Sequence, residues 1–341
     1  MITSRDIARL AGVSQTTVSR VLNNRGKVAP EKAELVRKII QETGYQPNAL
    51  ARSFVTRRAE TIGLFLFTYG PAGHLMDPWT GSIVNACQRA LRQHGYMLMF
   101  DLIENKTEYD RAVAALQQRR VDGAIFFGGR HDIDVLPLLS EGLPIAVVNR
   151  RWLNKRQPHA VQITADNFGG MRASAEHLVS LGHRRIALLA GNLLSPTPQV
   201  RLAGYRSVLE PLGLYDESLI IPELVDGPDR FQVVHSLLTG PWRTNPPTAV
   251  ACFSDDWAEA MITGCQDLGI KVPDEISVIG FDNRFPTRCP FTSITLPLER
   301  MCQLGVENLV RLIDGQFVRD WDVVLPCPLV MRNTTAPPAV R

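Results

Sequence analysis

Beyond residue 59 the chain alternates short apolar runs with helix-patterned stretches, and it does so twice. The first set of runs covers residues 62–67, 97–100, 124–127 and 145–148; the second covers 186–190, 219–221, 249–253 and 276–281. Strands that alternate with helices build parallel sheets, and two similar sets predict two lobes with a cleft between them. At 341 residues, 45% hydrophobic and 21% charged, the chain is long enough for two or three domains and has the composition of a soluble globular protein. In open α/β sheets ligands bind beyond the carboxyl ends of the strands. The residues that follow these runs are therefore the first candidates for a site.

The first 58 residues are different in kind. They hold 11 Lys and Arg against four acids, a net +7 in a chain whose total is +3. Such a basic segment on a near-neutral body suits a polyanion. Its pattern is helical: Thr3 and Asp6 form a capping pair, and Ile7, Ala8, Leu10 and Ala11 supply an apolar face. Gly12 breaks that helix, Val13 plugs the core, and Ser14 caps a second helix that turns Val18, Val21 and Leu22 inward. A third helix runs from Pro30 to Thr43, with Val36, Ile39 and Ile40 as its stripe and Gly44 as its stop. Two helices around a tight glycine turn have helix-turn-helix spacing, which lays the second helix in the major groove. Its leading residues are Gln15, Thr16 and Arg20. Gln pairs bidentately with adenine, Arg with guanine, and the Thr methyl can touch thymine. Ser14, Thr17 and Ser19 suit phosphates. The stretch from Tyr45 to Phe54 is helix-competent, is capped by Asn48, and reads as a hinge.

The run Asp-Ile-Ala-Arg-Leu-Ala-Gly-Val-Ser-x-x-Thr-Val-Ser-Arg-Val-Leu-Asn over residues 6–23, with Gly-Tyr-x-Pro-Asn-x-x-Ala-Arg over 44–52, closely resembles the lactose/galactose repressor family. The likeness extends to about Thr335. It implies an α/β protein with a three-helix helix-turn-helix head (1–46), a hinge helix and linker (47–58), and a two-lobed, periplasmic-binding-protein-like body (59–341). The lobes would divide as 59–161 with 292–320, and 162–291 with 321–335. The family's hinge becomes helical on DNA, pairs with its dimer mate and drives a Leu into the minor groove. The matching residue here is Phe54, and an aromatic wedge can likewise unstack a base step. The DNA-facing set is then Thr3, Ser14, Gln15, Thr16, Thr17, Ser19, Arg20, Asn23, Asn48, Ala51 and Phe54.

In the body, the residues after the apolar runs include Trp79, Asn149, Arg150, Asp255 and Asp282, while Arg201 opens a helix. An indole that stacks on a sugar face, with Asn, Arg and Asp for its hydroxyls, composes a polyol site. The blocks Arg-Leu-Ala-Gly-Tyr at 201–205 and Ile-Ser-Val-Ile-Gly-Phe-Asp at 276–282 look like the family's effector-site segments. Val-Asn-Arg-Arg at 148–151 is similar to its galactose- and β-glucoside-responsive branches, so the implied effector is a hexose or β-glucoside. Three features depart from the family pattern: Ser254 where Asn is usual, Leu296 where Gln is common, and the loop over 69–77. The resemblance therefore does not name the particular sugar.

Other functions fit less well. A transporter's solute-binding module needs an export signal, whereas this chain begins directly in a basic helical head. An enzyme acting on sugars would want a carboxylate pair, a metal cluster or a phosphate loop, and the side chains of adjacent Asp255 and Asp256 should diverge. Cys87, Cys252, Cys265, Cys289, Cys302 and Cys327 lack metal or redox spacing and read as small core residues. No catalytic residue, cofactor or metal is expected. No run of about 18 apolar residues occurs, which predicts a cytoplasmic protein without membrane contact. The ending Thr-Ala-Pro-Pro-Ala-Val-Arg341 cannot form the leucine heptad tail of lactose-type tetramers, so a homodimer on double-stranded operator DNA is expected.

Overall fold

The computed structural model of the protein describes residues 2–22, 28–45, 58–68, 78–130, 132–224, 229–284 and 290–339. The chain forms two compact units, Met1–Ala59 and Glu60–Arg341.

In the first unit, helices α1 (Ser4–Leu10), α2 (Gln15–Leu22) and α3 (Pro30–Thr43) close one small core of Ile7, Ala8, Ala11, Val18, Val21, Ala33, Val36 and Ile39. The expected cap is present: the Asp6 amide donates to Thr3 Oγ1 (3.4 Å) and the Thr3 amide to Asp6 Oδ2 (3.0 Å). Gly12 takes φ +61°, left-handed backbone that a side chain would strain, and the Val13 amide then reaches the Ala8 carbonyl at 3.0 Å. Leu10 departs from expectation and is 57% exposed. At 3.6 residues per turn it lies roughly 100° from the centre of the face defined by Ile7, Ala8 and Ala11. Helix α3 starts at Pro30 and ends at Gly44, also left-handed, as its sequence predicts. The expected hinge over 47–58, apart from Arg58, lies outside the described residues.

The second unit contains two six-stranded sheets. Strands β1 (Thr61–Phe67), β2 (Met97–Ile103), β3 (Gly123–Phe127), β4 (Ile145–Val148), β5 (Ala160–Ala165) and β11 (Asp322–Leu325) are ordered β11-β5-β4-β3-β1-β2, all parallel. Strands β6 (Ile186–Gly191), β7 (Ile220–Pro222), β8 (Ala249–Cys252), β9 (Ser277–Asp282), β10 (Ser293–Thr295) and β12 (Leu329–Val330) are ordered β12-β10-β9-β8-β6-β7, with only β12 antiparallel. The helices that connect and cover them are α4 (Pro78–Gln93), α5 (Lys106–Gln117), α6 (Asn167–Ser180), α7 (Pro196–Leu209), α8 (Arg230–Thr239), α9 (Pro241–Thr244), α10 (Asp255–Asp267) and α11 (Leu298–Ile313). Central strands such as β3, β4 and β8 are buried along their whole length, as parallel strands covered on both faces must be. Among the described residues no helix is long and apolar enough to cross a membrane.

The chain passes between the sheets three times, and each passage falls at a strand end. Residues 162–165 and 321–325 therefore join the first sheet and 292–295 the second, which corrects the lobe limits expected at 161/162, 291/292 and 320/321. Strand β5 escapes a search for apolar runs because Gln162 lies inside it. That side chain is fully buried, accepts from the Trp152 and Leu153 amides (both 2.7 Å) and donates to Asp322 Oδ1 (2.9 Å).

Candidate functional site

The head presents its predicted DNA-facing residues on α2. Ser14 Oγ accepts from the Thr17 amide at 3.1 Å, which fixes the start of the helix and leaves Gln15, Thr16 and Arg20 exposed. Gln15 Nε2 donates to Ser4 Oγ at 2.8 Å, so that carboxamide is steered by α1. Thr17 and Ser19 are partly buried beside them. Thr3 is held in its cap, its hydroxyl donating to Asp6 Oδ2 at 2.7 Å. Asn23, Asn48, Ala51 and Phe54 lie outside the described residues.

In the body, a cavity of about 220 Å³ opens at the carboxyl ends of strands from both sheets. Its aromatic walls are Phe67, Trp79, Phe127 and Phe253, and its polar lining includes Asn149, Ser195, Thr197, Arg201, Glu223, Arg230, Ser254, Asp256 and Asp282. Trp79 lies in the first turn of α4, edge-on to Phe127 with ring centres 6.3 Å apart. Asn149 ends β4 with φ +60°, a left-handed conformation that Asn tolerates better than most residues, and its Oδ1 is buried with no hydrogen-bond partner among the described residues. Asp282 ends β9 at φ +116°, a strained backbone of the kind found at binding sites.

Arg201 is the centre of the polar wall. It is 3% exposed, with its guanidinium carbon 3.4 Å from the centre of the Phe281 ring and 4.6 Å from that of Phe253. Nε donates to Asn167 Oδ1 (2.8 Å), Nη1 to the Phe253 carbonyl, and Nη2 to Asp282 Oδ1 (3.4 Å). Burial lowers its pKa, and the neighbouring Asp282 carboxylate opposes that shift. Asp282 is itself raised by burial, against the pull of Arg201.

Four of the six predicted effector residues, Trp79, Asn149, Arg201 and Asp282, meet at this cavity. Asp255 and Arg150 do not. Asp255 faces away, accepting from Ser293 Oγ (2.7 Å) and the Arg284 amide (2.7 Å). Burial, and then the charge of Asp282, raise its pKa. The cleft is lined instead by Asp256, because successive side chains at a helix start point about 100° apart. Arg150 passes behind Gly129, donates to the Arg130 carbonyl (2.6 Å) and stacks on Trp152, and it borders an adjoining cavity of about 250 Å³ that shares Asn149 and Thr197. Sequence reasoning missed Ser195, Thr197, Glu223, Arg230 and Asp256. All five follow strand ends or open helices, so the rule that singled out Asn149 and Asp282 extends to them.

Glu223, Arg230, Asp256 and Arg284 form an alternating chain of charge. Arg230 is 3.4 Å from Glu223 and 3.7 Å from Asp256, and Arg284 pairs with Asp256.

Comparison with known proteins agrees with both halves. Residues 3–48 match the family described as bacterial regulatory proteins, lacI family, and residues 175–335 match the periplasmic binding protein-like domain. The HTH-type transcriptional regulator DegA of Bacillus subtilis (strain 168) is 32% identical, with 97% of each chain covered. The regulator CelR of Thermobifida fusca is 31% identical over 96% of each. Among solved structures, the transcriptional regulator CelR-cellobiose complex has a TM-score of 0.68 at 29% identity, covering 98% of this chain and 100% of that one. The lac repressor dimer bound to operator and the anti-inducer ONPF has a TM-score of 0.82 at 28% identity, covering 98% and 99%. Both curated relatives are regulators of transcription. With this likeness extending along nearly its whole length, the chain belongs to the lacI family of bacterial regulatory proteins.

Proposed function

We propose that the protein is a repressor that binds a near-palindromic operator as a cytoplasmic homodimer and is released when a hexose or glycoside enters the cleft. The observation that carries the effector half is Asn149 Oδ1, a buried acceptor without a partner among the described residues, inside a cavity walled by aromatic rings. A buried acceptor left unpaired costs about 1–3 kcal/mol, which a ligand hydroxyl recovers. Trp79 supplies a face for a sugar ring, and Glu223 and Asp256 supply acceptors for its hydroxyls. The solved CelR-cellobiose complex supports a sugar ligand of this kind. The head supports the operator half, through the exposed Gln15, Thr16 and Arg20 at the start of α2.

Because the cavity is lined from both sheets, a ligand there favours one arrangement of the lobes. An effector shifts the DNA-binding equilibrium only by its differential affinity for the two states, typically about 1–3 kcal/mol. The test is operator binding by purified protein on DNA selected from a random pool, repeated with hexoses, β-glucosides and purines. The expected result is that one sugar weakens binding about tenfold or more. A response to a purine alone rejects the sugar assignment, and failure to select any sequence rejects the regulator mechanism.

A further inference from the structure

We propose that this cleft takes uncharged polyols and excludes their anionic derivatives, the sugar phosphates and sugar acids. The inference rests on the sugar-effector reading and narrows it.

The first argument is charge. Each guanidinium at the cavity already faces acceptors. Arg201 donates to Asn167, the Phe253 carbonyl and Asp282, and it is covered by the Phe281 ring. Arg230 lies at ion-pair distance between Glu223 and Asp256, with its Nε making no hydrogen bond among the described residues, and Asp256 also holds Arg284. The lining carries three carboxylates, Glu223, Asp256 and Asp282, against two guanidinium groups, Arg201 and Arg230. An entering phosphate or carboxylate must lose its water and approach cations that already have carboxylates beside them, so it meets like charge at Glu223, Asp256 and Asp282 as it reaches either guanidinium.

The second argument is the backbone. A helix start binds anions through free amide N–H groups. Helix α7 opens at the cavity, where Ser195 and Thr197 line the wall, yet its first and third positions are Pro196 and Pro198, which carry no N–H. Helix α10 opens there too and fills its own first turn with Asp255 and Asp256. Both helix starts are thereby unsuited to an anion. The other groups on the wall suit a neutral polyol: the Asn149 carboxamide, the hydroxyls of Ser195, Thr197 and Ser254, and carboxylates that accept from sugar O–H groups.

Isothermal titration of the full chain with glucose, galactose and cellobiose, each beside its phosphate monoester and its aldonic acid, tests this. The expected result is that the neutral sugar that binds does so about tenfold or more tightly than either anionic counterpart. An anionic member that binds as tightly as its neutral parent overturns the proposal and leaves the sugar reading standing. Binding of a purine base with no sugar removes that reading, and this proposal with it. Asp256→Asn and, separately, Glu223→Gln release guanidinium groups and should narrow the neutral-to-anionic gap about tenfold. An unchanged gap in both variants, each melting like the parent protein, overturns the assignment of exclusion to these pairs.

Discussion

Asp255 and Asp256 are consecutive residues whose carboxylates serve opposite sides of one helix start. Asp255 is 2% exposed and bonded to Ser293 Oγ and the Arg284 amide, whereas Asp256 faces the cleft and pairs with Arg230 and Arg284. Asp255→Ala leaves the buried Ser293 hydroxyl and the partly buried Arg284 amide without their acceptor and should lower stability by about 1–3 kcal/mol. Asp256→Ala should disturb ligand affinity more than stability. Urea denaturation beside calorimetric titration of both variants checks the division; equal destabilisation by the two is the contrary result.

Arg201 holds the site together as well as lining it. Arg201→Ala strands the buried Asp282 and should destabilise the body by about 3–5 kcal/mol, in addition to abolishing the ligand response. Arg201→Met combined with Asp282→Asn should recover much of that stability without restoring the response. A double-mutant cycle measures the coupling, and strict additivity of the two changes counts against a buried pair.

On the DNA side, Gln15→Ala should relax base preference at one operator position at a cost of about 1–3 kcal/mol. Arg20→Ala should weaken operator binding more than binding to random duplex. Titrations on both DNAs decide it, and equal losses reassign Arg20 to phosphates.

The pH dependence of folding should carry a histidine signature. His183 is 1% exposed, with Nε2 against the Ala336 carbonyl (2.9 Å) and Nδ1 against Thr248 Oγ1 (3.0 Å), and burial lowers its pKa. His177 is lowered for the same reason. A depressed pKa in the folded state means that the unfolded chain binds the proton more readily. The stability contributed is therefore complete above about pH 6.5 and is lost as pH falls through the folded value. Denaturation midpoints at neutral and mildly acidic pH should separate less in His183→Asn than in the parent protein.

The fold was legible wherever one pattern dominated a segment. The head's caps and glycines each specify a turn by local chemistry, and eight strands announce themselves as apolar runs. Strand β5 hid behind Gln162, β10 and β11 behind Ser293, Thr295 and Asp322, and β12 is only two residues long. Site residues were legible where a strand visibly ended, as at Asn149 and Asp282. Asp256 was not, because choosing between adjacent carboxylates needs the rotation of α10 about its axis, which sheet packing sets. Arg150 was misplaced for a related reason: the adjacent glycine, Gly129, leaves room for its side chain to pass behind the wall instead of into the cavity.

The three passages of chain between the sheets also impose an order on synthesis. Strand β11, which completes the edge of the first sheet, ends at Leu325, and β12 follows four residues later at Leu329. Synthesis must therefore pass residue 322 before the first sheet can finish and residue 329 before the second, and no uninterrupted fragment contains one lobe alone. Every residue that lines the cavity, from Leu66 to Asp282, precedes these strands, so the pocket's wall is synthesised before the sheets that hold its two sides in place are complete.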